Sequence, residues 1–297
     1  MKLVKISENA YFIPGAINIG VIKTGESVVL IDTGIDRESG RRVLRTIEKS
    51  GLAVGAIINT HSHADHFGGN GYLIRNTNAK VYAPEIEAGV IQYPYLEPLY
   101  LFSAHPVRDL MNRFLMAEPS RVDFILKDEN FSRPVIELKD AEIEIIPLFG
   151  HSPRQIGVEI DGVLYCADSV FSSRIIQKYR IPLFMDIEKQ KRTLSLLEKS
   201  NYDYYVPCHA NPTDDISELI DMNMKVIESV EELLISCKNR TTEEVLKMVC
   251  SKYGIRLTNF TEYCLMHSTI KAYLSCLYNR GDLNASFDGE ILVWNPQ

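Results

Sequence analysis

The stretch "IINTHSHADHFGGN", residues 57 to 70, constrains this chain more than any other. Three of its seven histidines and an aspartate fall between positions 61 and 66, directly after an apolar run. His61 and His63 are two residues apart. On a helix that spacing points them to nearly opposite sides, so they would not share an ion. On an extended segment, positions 61, 63 and 65 lie on one side and His66 turns away. A loop leaving a strand can therefore divide its donors between two adjacent metals. This differs from H-E-x-x-H, where i and i+4 on a helix serve one ion.

More donors are needed from elsewhere, and the chain supplies them. "FGHSPRQ" gives His151 after the strand-like "AEIEIIPL", "YCADSVF" gives Asp168 at the end of "VLYCA", and "VPCHAN" gives His209 at the end of "YDYYV". Each sits where a strand is expected to give way to a loop, so all can converge on one sheet rim. Five histidines and two aspartates suffice for two ions. His61, His63 and His151 are expected to hold one; Asp65, His66 and His209 the other; Asp168 bridges them. Imidazole with a few carboxylates suits Zn²⁺ best among divalent ions, with Fe or Mn as alternatives. His105 and His267 carry no motif and are read as structural or exposed.

The rest of the pattern is alternating strand and helix. "YFIPG", "INIGVIK", "SVVLIDTG", "VGAIINT" and "AKVYAP" read as strands between turn residues. "DRESGRRVLRTIEKSG" reads as a helix with Val43, Leu44 and Ile47 on one face and Gly51 as its stop. "GGNGYLIRNT" reads as a helix start. Residues 91–125, rich in aromatics, Met and Pro, read as a partly helical insertion lying over one face. Strands resume with "PVIELKD", "AEIEIIPL", "IGVEIDG" and "VLYCADS", followed by the helix "DIEKQKRTLSLLEKSN", with Thr193, Leu194 and Leu197 inward. Residues 213–297 change character. They read as three helices, one opening on the capping box Thr241-x-x-Glu244, and a hairpin with Asp288-Gly289 at its turn. The expected division is a catalytic domain, 1–212, and a helical, winged-helix-like module, 213–297.

At 297 residues there is room for a core plus an appendage. The net charge of −7 disfavours broad nucleic-acid binding. None of the six cysteines is paired as C-x-x-C, so reduced thiols are expected. No apolar run approaches the ~20 residues that span a bilayer. The first residues lack a signal peptide's apolar core, so a cytoplasmic location is expected.

These residues together resemble the metallo-β-lactamase superfamily, with glyoxalase II-like motifs. The resemblance covers about residues 1–212. It rests on "DTG" at Asp32-Thr33-Gly34, "THSHADHFGG" at 60–69, "GHS" at 150–152, "ADSVF" at 167–171 and "CHA" at 208–210. It implies an αββα sandwich, two mixed sheets face to face with helices outside and metals at one edge. It also implies that Asp32 supports the metal ligands from behind. The chain departs from the family's pattern in three places: Arg154-Gln155 replace a Gly-His found in many members, Ala167 replaces the Gly before the bridging Asp, and Cys208 replaces the Gly before the last His.

The chemistry implied is hydrolysis. Two divalent ions, two aspartates and a bridging hydroxide leave a charge of about +1, which favours anionic or electron-rich substrates; bound zinc lowers the pKa of water to about 7. Asp65 can orient or deprotonate the nucleophile. Small esters, thioesters or lactones are the expected substrates. The alternatives are a nuclease or phosphodiesterase using the C-terminal module, an iron-dependent redox enzyme or sulfur dioxygenase, and an inactive binding protein. Scattered basic residues in 241–297, balanced by acids, argue against nucleic acid. That module is read as a packing or homodimerisation element. Tyr93, Tyr95, Arg113, Arg154, Arg174 and Tyr179 are candidate substrate contacts by chain position, Arg154 first because it lies three residues from His151.

Overall fold

The computed structural model describes residues 2–127, 135–138 and 141–297. The first sheet takes its strands in chain order: β1 (Val4–Lys5), β2 (Ala10–Ile13), β3 (Ile19–Thr24), β4 (Ser27–Ile31), β5 (Ala53–Ile58), β6 (Lys80–Pro84) and β7 (Phe124–Leu126). Between them lie α1 (Arg37–Glu48), α2 (Ala64–Phe67), α3 (Asn70–Thr77), α4 (Glu85–Gln92) and α5 (Leu96–Phe102). The second sheet holds β8 (Val135–Leu138), β9 (Ala141–Pro147), β10 (Ile156–Ile160), β11 (Val163–Phe171) and β12 (Tyr204–His209), in the order β12-β11-β10-β9-β8. Helices α6 (Ser173–Tyr179) and α7 (Ile187–Lys199) separate β11 from β12. Then come α8 (Ser217–Ile235), α9 (Thr242–Tyr253), α10 (Phe260–Arg280) and the hairpin β13 (Leu283–Asp288)–β14 (Ile291–Pro296).

Period-2 alternation decides the layers. In β4, Val28 and Leu30 face outward onto Val43, Leu44 and Ile47 of α1 and Leu73 of α3. Val29 and Ile31 face inward, with Ala56 and Ile58 of β5, onto Ile143, Ile145, Ile156, Val158 and Tyr165 of the other sheet. The far face of that second sheet, through Ile146, Leu148, Leu164 and Cys166, packs on Leu194 and Leu197 of α7 and Ile220, Ile227 and Leu234 of α8. The result is helix, sheet, sheet, helix. Both sheets are mixed: β1 to β4 pair antiparallel and β4 to β7 parallel. In the second, β8 to β11 pair antiparallel and β11–β12 parallel. It follows that β9, β11 and β12 run one way, as do β4 and β5, so their C-terminal ends can share an edge.

Most local expectations hold, for identifiable reasons. Asp36 caps α1 by accepting from the Ser39 N–H, and Gly51, at φ +74°, closes it with Leu52 N–H donating to the Ile47 carbonyl. Thr241 and Glu244 form the reciprocal capping box of α9. Of the expected strand "PVIELKD", Pro134, Lys139 and Asp140 lie outside the described residues. Three details differ. The hairpin turn is Gly289-Glu290, one residue later than expected, because Asp288 pairs with Ile291. The end of segment 91–125 is strand β7, joined parallel to β6. Strand β11 continues past Asp168 to Phe171, with its register against β12 broken on either side of Ala167, a left-handed residue at φ +47°.

The C-terminal elements share one core with the second sheet. Tyr273, Leu274 and Leu277 of α10 and Leu283 of β13 belong to the same buried cluster as Leu164 and Leu194. Segment 91–125 also leans on α10: Leu101, Leu110 and Leu115 surround Cys264, and the Asn112 side chain donates to the Thr261 hydroxyl at 3.0 Å. On α5, Glu97 is 2% exposed and its Oε2 has no hydrogen-bond partner. Among the described residues, no helix is long and apolar enough to cross a membrane.

Two outcomes are expected. The sole tryptophan, Trp294, sits in the hairpin with its indole N–H on the Thr242 hydroxyl. With a shared core, Trp294 fluorescence and far-UV circular dichroism should report one coincident denaturant transition. Ile227→Ala should shift both together by roughly 2–5 kcal/mol. Glu97 gives a pH test. Burial first, then the charges of Asp65 and Glu87, holds its carboxyl well above the ordinary 4.5. The favourable contribution of the neutral acid is full below that ordinary value and is lost as pH rises through the folded one. Glu97→Gln should therefore match wild-type stability in acid and exceed it increasingly toward alkaline pH, read from urea midpoints across a pH series.

Candidate metal centre

The seven residues singled out at the strand ends come together. His61 and His63 follow β5, Asp65 and His66 lie in the one-turn helix α2, and His151 follows β9. Asp168 projects from β11 just beyond its register break, and His209 is the last residue of β12. Close backbone contact allows the loop paths. A Cβ on Gly68 would lie 2.0 Å from the Ile35 carbonyl oxygen, so only glycine lets α2 press against the "DTG" turn. Gly150 combines φ +130° with a Cβ position 2.4 Å from the Gln190 backbone.

One group is a trio of imidazoles. His61 Nε2 and His151 Nε2 lie 3.1 and 2.9 Å from His63 Nδ1, with the His61 and His151 rings nearly perpendicular to that of His63. Their tautomers follow from their other nitrogens. The Thr60 hydroxyl donates to Asp32 Oδ2, so the contact between His61 Nδ1 and Thr60 Oγ1 needs its proton from His61. His151 Nδ1 faces the Leu183 carbonyl, which only accepts. Both Nε2 atoms therefore aim lone pairs at the centre. A proton on His63 Nδ1 could satisfy one of them and not both. Burial, reinforced by neighbouring imidazoles, pushes all three toward neutrality: His61 falls well below the ordinary value, His63 to about 4 and His151 to about 3.

The other group is mixed. His66 Nε2 lies 3.8 Å from Asp65 and 3.6 Å from Asp168; His209 Nε2 lies 3.5 and 3.2 Å from the same two carboxylates. Asp168 Oδ2 is also 3.5 Å from His151 Nε2, so this carboxylate reaches both groups. Here burial opposes the charged imidazoles but the carboxylates win, holding His66 well above its ordinary value and His209 up at about 10. Burial likewise opposes ionisation of Asp65 and Asp168, and the histidines outweigh it. Cys208 Sγ lies 4.0 Å from Asp32, but burial pushes its thiol up to about 12, against a thiolate ligand.

Several residues hold the arrangement from behind. Asp32, fully buried at φ +63°, accepts from the Thr60 N–H and hydroxyl and from His66 Nδ1 at 2.8 Å. The His66 carbonyl takes the Thr33 N–H at 2.7 Å, and Asn70 links Thr33 to Asn59. Asn18 donates to the Pro207 and Ala210 carbonyls on either side of His209. Gln155 accepts from the Asp168 N–H through its amide oxygen. Of these, sequence reasoning singled out only Asp32. It also missed Glu87, whose carboxylate bonds to both Ser62 and Ser152. The signal available was a glutamate on the apolar face of a short helix, four residues before buried Ile91.

The donor set fits divalent cations. His66 Nε2 and Asp168 Oδ1 are buried and have no hydrogen-bond partner, and the trio turns lone pairs on one another. A positive ion resolves both. The candidate substrate residues are less gathered. The Arg154 N–H bonds Glu87, and its guanidinium stands 5.1 Å over the Phe149 ring. Tyr93 is 68% exposed, Tyr95 bonds His105, Arg113 lies over Phe114, and the Tyr179 hydroxyl accepts from Lys178. Arg174 is exposed. Among the described residues, no hydrogen bond, ion pair or ring contact joins Tyr93, Tyr95, Arg113, Arg174 or Tyr179 to the seven. His267 pairs with Glu243 and stacks on Tyr263, away from the centre.

The sequence profile described as "metallo-beta-lactamase superfamily" matches residues 12–209. Hydroxyacylglutathione hydrolase 2 of Vibrio vulnificus strain YJ016 is 30% identical over 140 residues, which are 47% of this chain and 42% of that enzyme. The chain thus matches under half the length of that relative. A metallo-beta-lactamase family protein of Thermus thermophilus shares the fold with a TM-score of 0.75 at 17% identity, over 99% of this chain and 100% of its own. A beta-lactamase domain protein of Burkholderia ambifaria gives 0.73 at 16% identity, over 99% and 93%. With the profile running from within β2 to the end of β12, over more than half of the chain, the chain belongs to the metallo-beta-lactamase superfamily.

Proposed function

We propose that the chain is a hydrolase carrying two divalent metal ions, zinc by preference, that cleaves a small-molecule ester, thioester or lactone. The observation that carries this reading is the convergence of the inward lone pairs of His61 and His151 on His63 with two buried atoms that have no hydrogen-bond partner, His66 Nε2 and Asp168 Oδ1. His61, His63 and His151 form one seat, Asp65, His66 and His209 the other, and Asp168 spans them. When bound, the ions supply hydroxide at neutral pH and polarise the scissile carbonyl.

The chain's own residues supply the rest. His61, His66, His151 and Asp168 are closed from solvent, while His63, Asp65 and His209 are partly open. Substrate therefore approaches over Asp65 and His209. The Asp65 carboxylate, with about a third of its side chain exposed, is placed to hold or accept a proton there. Asp32 keeps His66 in the tautomer that presents Nε2. Arg154, beside the His151 loop, is the nearest candidate for an anionic substrate group. The hydroxyacylglutathione hydrolases among the relatives favour a thioester. The C-terminal helices and hairpin are read as a winged-helix-like unit that packs against the second sheet and the 91–125 segment.

Purified protein should contain about two equivalents of zinc, lose hydrolysis of a thioester, ester or lactone panel on chelation, and recover it on adding zinc. Asp168→Ala should lower kcat/KM by more than about 100-fold, beyond the 10–100-fold typical of losing an outer support. A panel in which only phosphodiesters or RNA are cleaved, or in which the Asp168→Ala variant keeps its rate, would refute the proposal.

A further inference from the structure

Helix α4 carries a buried carboxylate that hydrogen-bonds to none of the seven candidate ligands. Glu87 is 1% exposed. Its Oε2 accepts from the Ser62 N–H at 3.1 Å and the Ser62 hydroxyl at 2.5 Å. Its Oε1 accepts from the Ser152 hydroxyl and the Arg154 N–H, both at 2.8 Å. Four donors fill the group, and they divide by oxygen: one oxygen serves the loop leaving β5, the other the loop leaving β9. Those loops come from different sheets.

Ser62 stands between His61 and His63, and Ser152 follows His151. Every imidazole of the trio is thus one residue from an atom that Glu87 fixes. The second group is supported differently. His66 is held by Asp32, and the backbone around His209 by Asn18.

We propose that Glu87 is a positioning residue for the three-histidine seat alone, setting the separation of the two loops so that three nitrogens meet on one ion. The inference rests on reading the cluster as two cation seats. A metal tolerates ligand distances only within about ±0.2 Å; the Ile156 N–H on the Thr60 carbonyl ties the sheets behind the site, and Glu87 ties the two loops beside the three histidines themselves. A carboxylate is suited to the task because it accepts all four bonds at once and donates none.

The test uses Co²⁺ as the probe, titrated into metal-stripped protein and followed by visible absorption and by competition with a chelator. The proteins are wild type, Glu87→Gln, Asp32→Asn and His151→Ala, the last giving the spectrum of the second seat by itself. Glutamine keeps the shape of Glu87, but its amide nitrogen cannot accept from these donors. Wild type should bind two ions. Glu87→Gln should weaken the three-histidine seat by about 10- to 100-fold and leave the other within about threefold, while Asp32→Asn, which touches His66 directly and His61 through Thr60, should weaken both seats. Equal weakening of both seats, or two unchanged seats, in Glu87→Gln would overturn the positioning role while leaving the dinuclear reading intact. Wild type that binds no cobalt would overturn both. Should Glu87→Gln not fold, Ser152→Ala removes one donor from Oε1 and is held to the same selectivity, with a smaller shift.

Discussion

Imidazole nitrogens whose outer partners are already chosen have no freedom left at the centre. Thr60 and Asp32 settle His61, the Leu183 carbonyl settles His151, and Asp32 settles His66. His61 and His151 then turn lone pairs inward, each about 3 Å from His63 Nδ1, which has at most one proton to give. A positive ion within this cluster would relieve that conflict. The loops that carry it, the strands that aim the loops and the glycine contacts that let the loops close all serve that one electrostatic demand.

The sandwich meets the demand by where its strands point. Parallel pairing of β4 with β5 brings the Asp32 turn and the histidine loop to one edge. In the other sheet β9, β11 and β12 end at the same side, delivering His151, Asp168 and His209. Ties across the gap then fix the two halves against each other: the Ile156 N–H on the Thr60 carbonyl, the Asn18 N–H on the Cys208 carbonyl, and the Tyr165 hydroxyl on the Tyr11 carbonyl. Asp168 needs one more device. The register break at Ala167 re-aims the strand, and Gln155 holds the Asp168 N–H from behind.

What could be read from the amino acids follows from where the information lies. The candidate ligands were legible because each stands beside a strand pattern, and because spacing alone separates an extended two-ion loop from a helical one-ion motif. Helix ends at Thr241 and Gly51 were legible because capping is local chemistry. The sheet order, the shared core of α8 to α10 with the second sheet, and strand β7 were not, since they depend on long-range pairing. The residues behind the ligands were hardest. Gln155 looked like a departure from a familiar pattern, and its use emerges only once the Asp168 backbone is beside it. Glu87 is an ordinary helical glutamate until Ser62 and Ser152, distant in the chain, meet on its two oxygens.

Asp32 combines two demands of unrelated origin. Its backbone, at φ +63°, lies in a region that β-branched and bulky side chains avoid and that glycine, asparagine and aspartate tolerate. Its side chain must accept three hydrogen bonds while presenting no proton to His66. Glycine meets the first requirement and fails the second; asparagine meets the first and half of the second; glutamate meets the second with a longer side chain and a backbone less at ease at positive φ. The overlap of the two filters favours aspartate, so steric permission and acid–base chemistry, acting separately, narrow what mutation can put at this position.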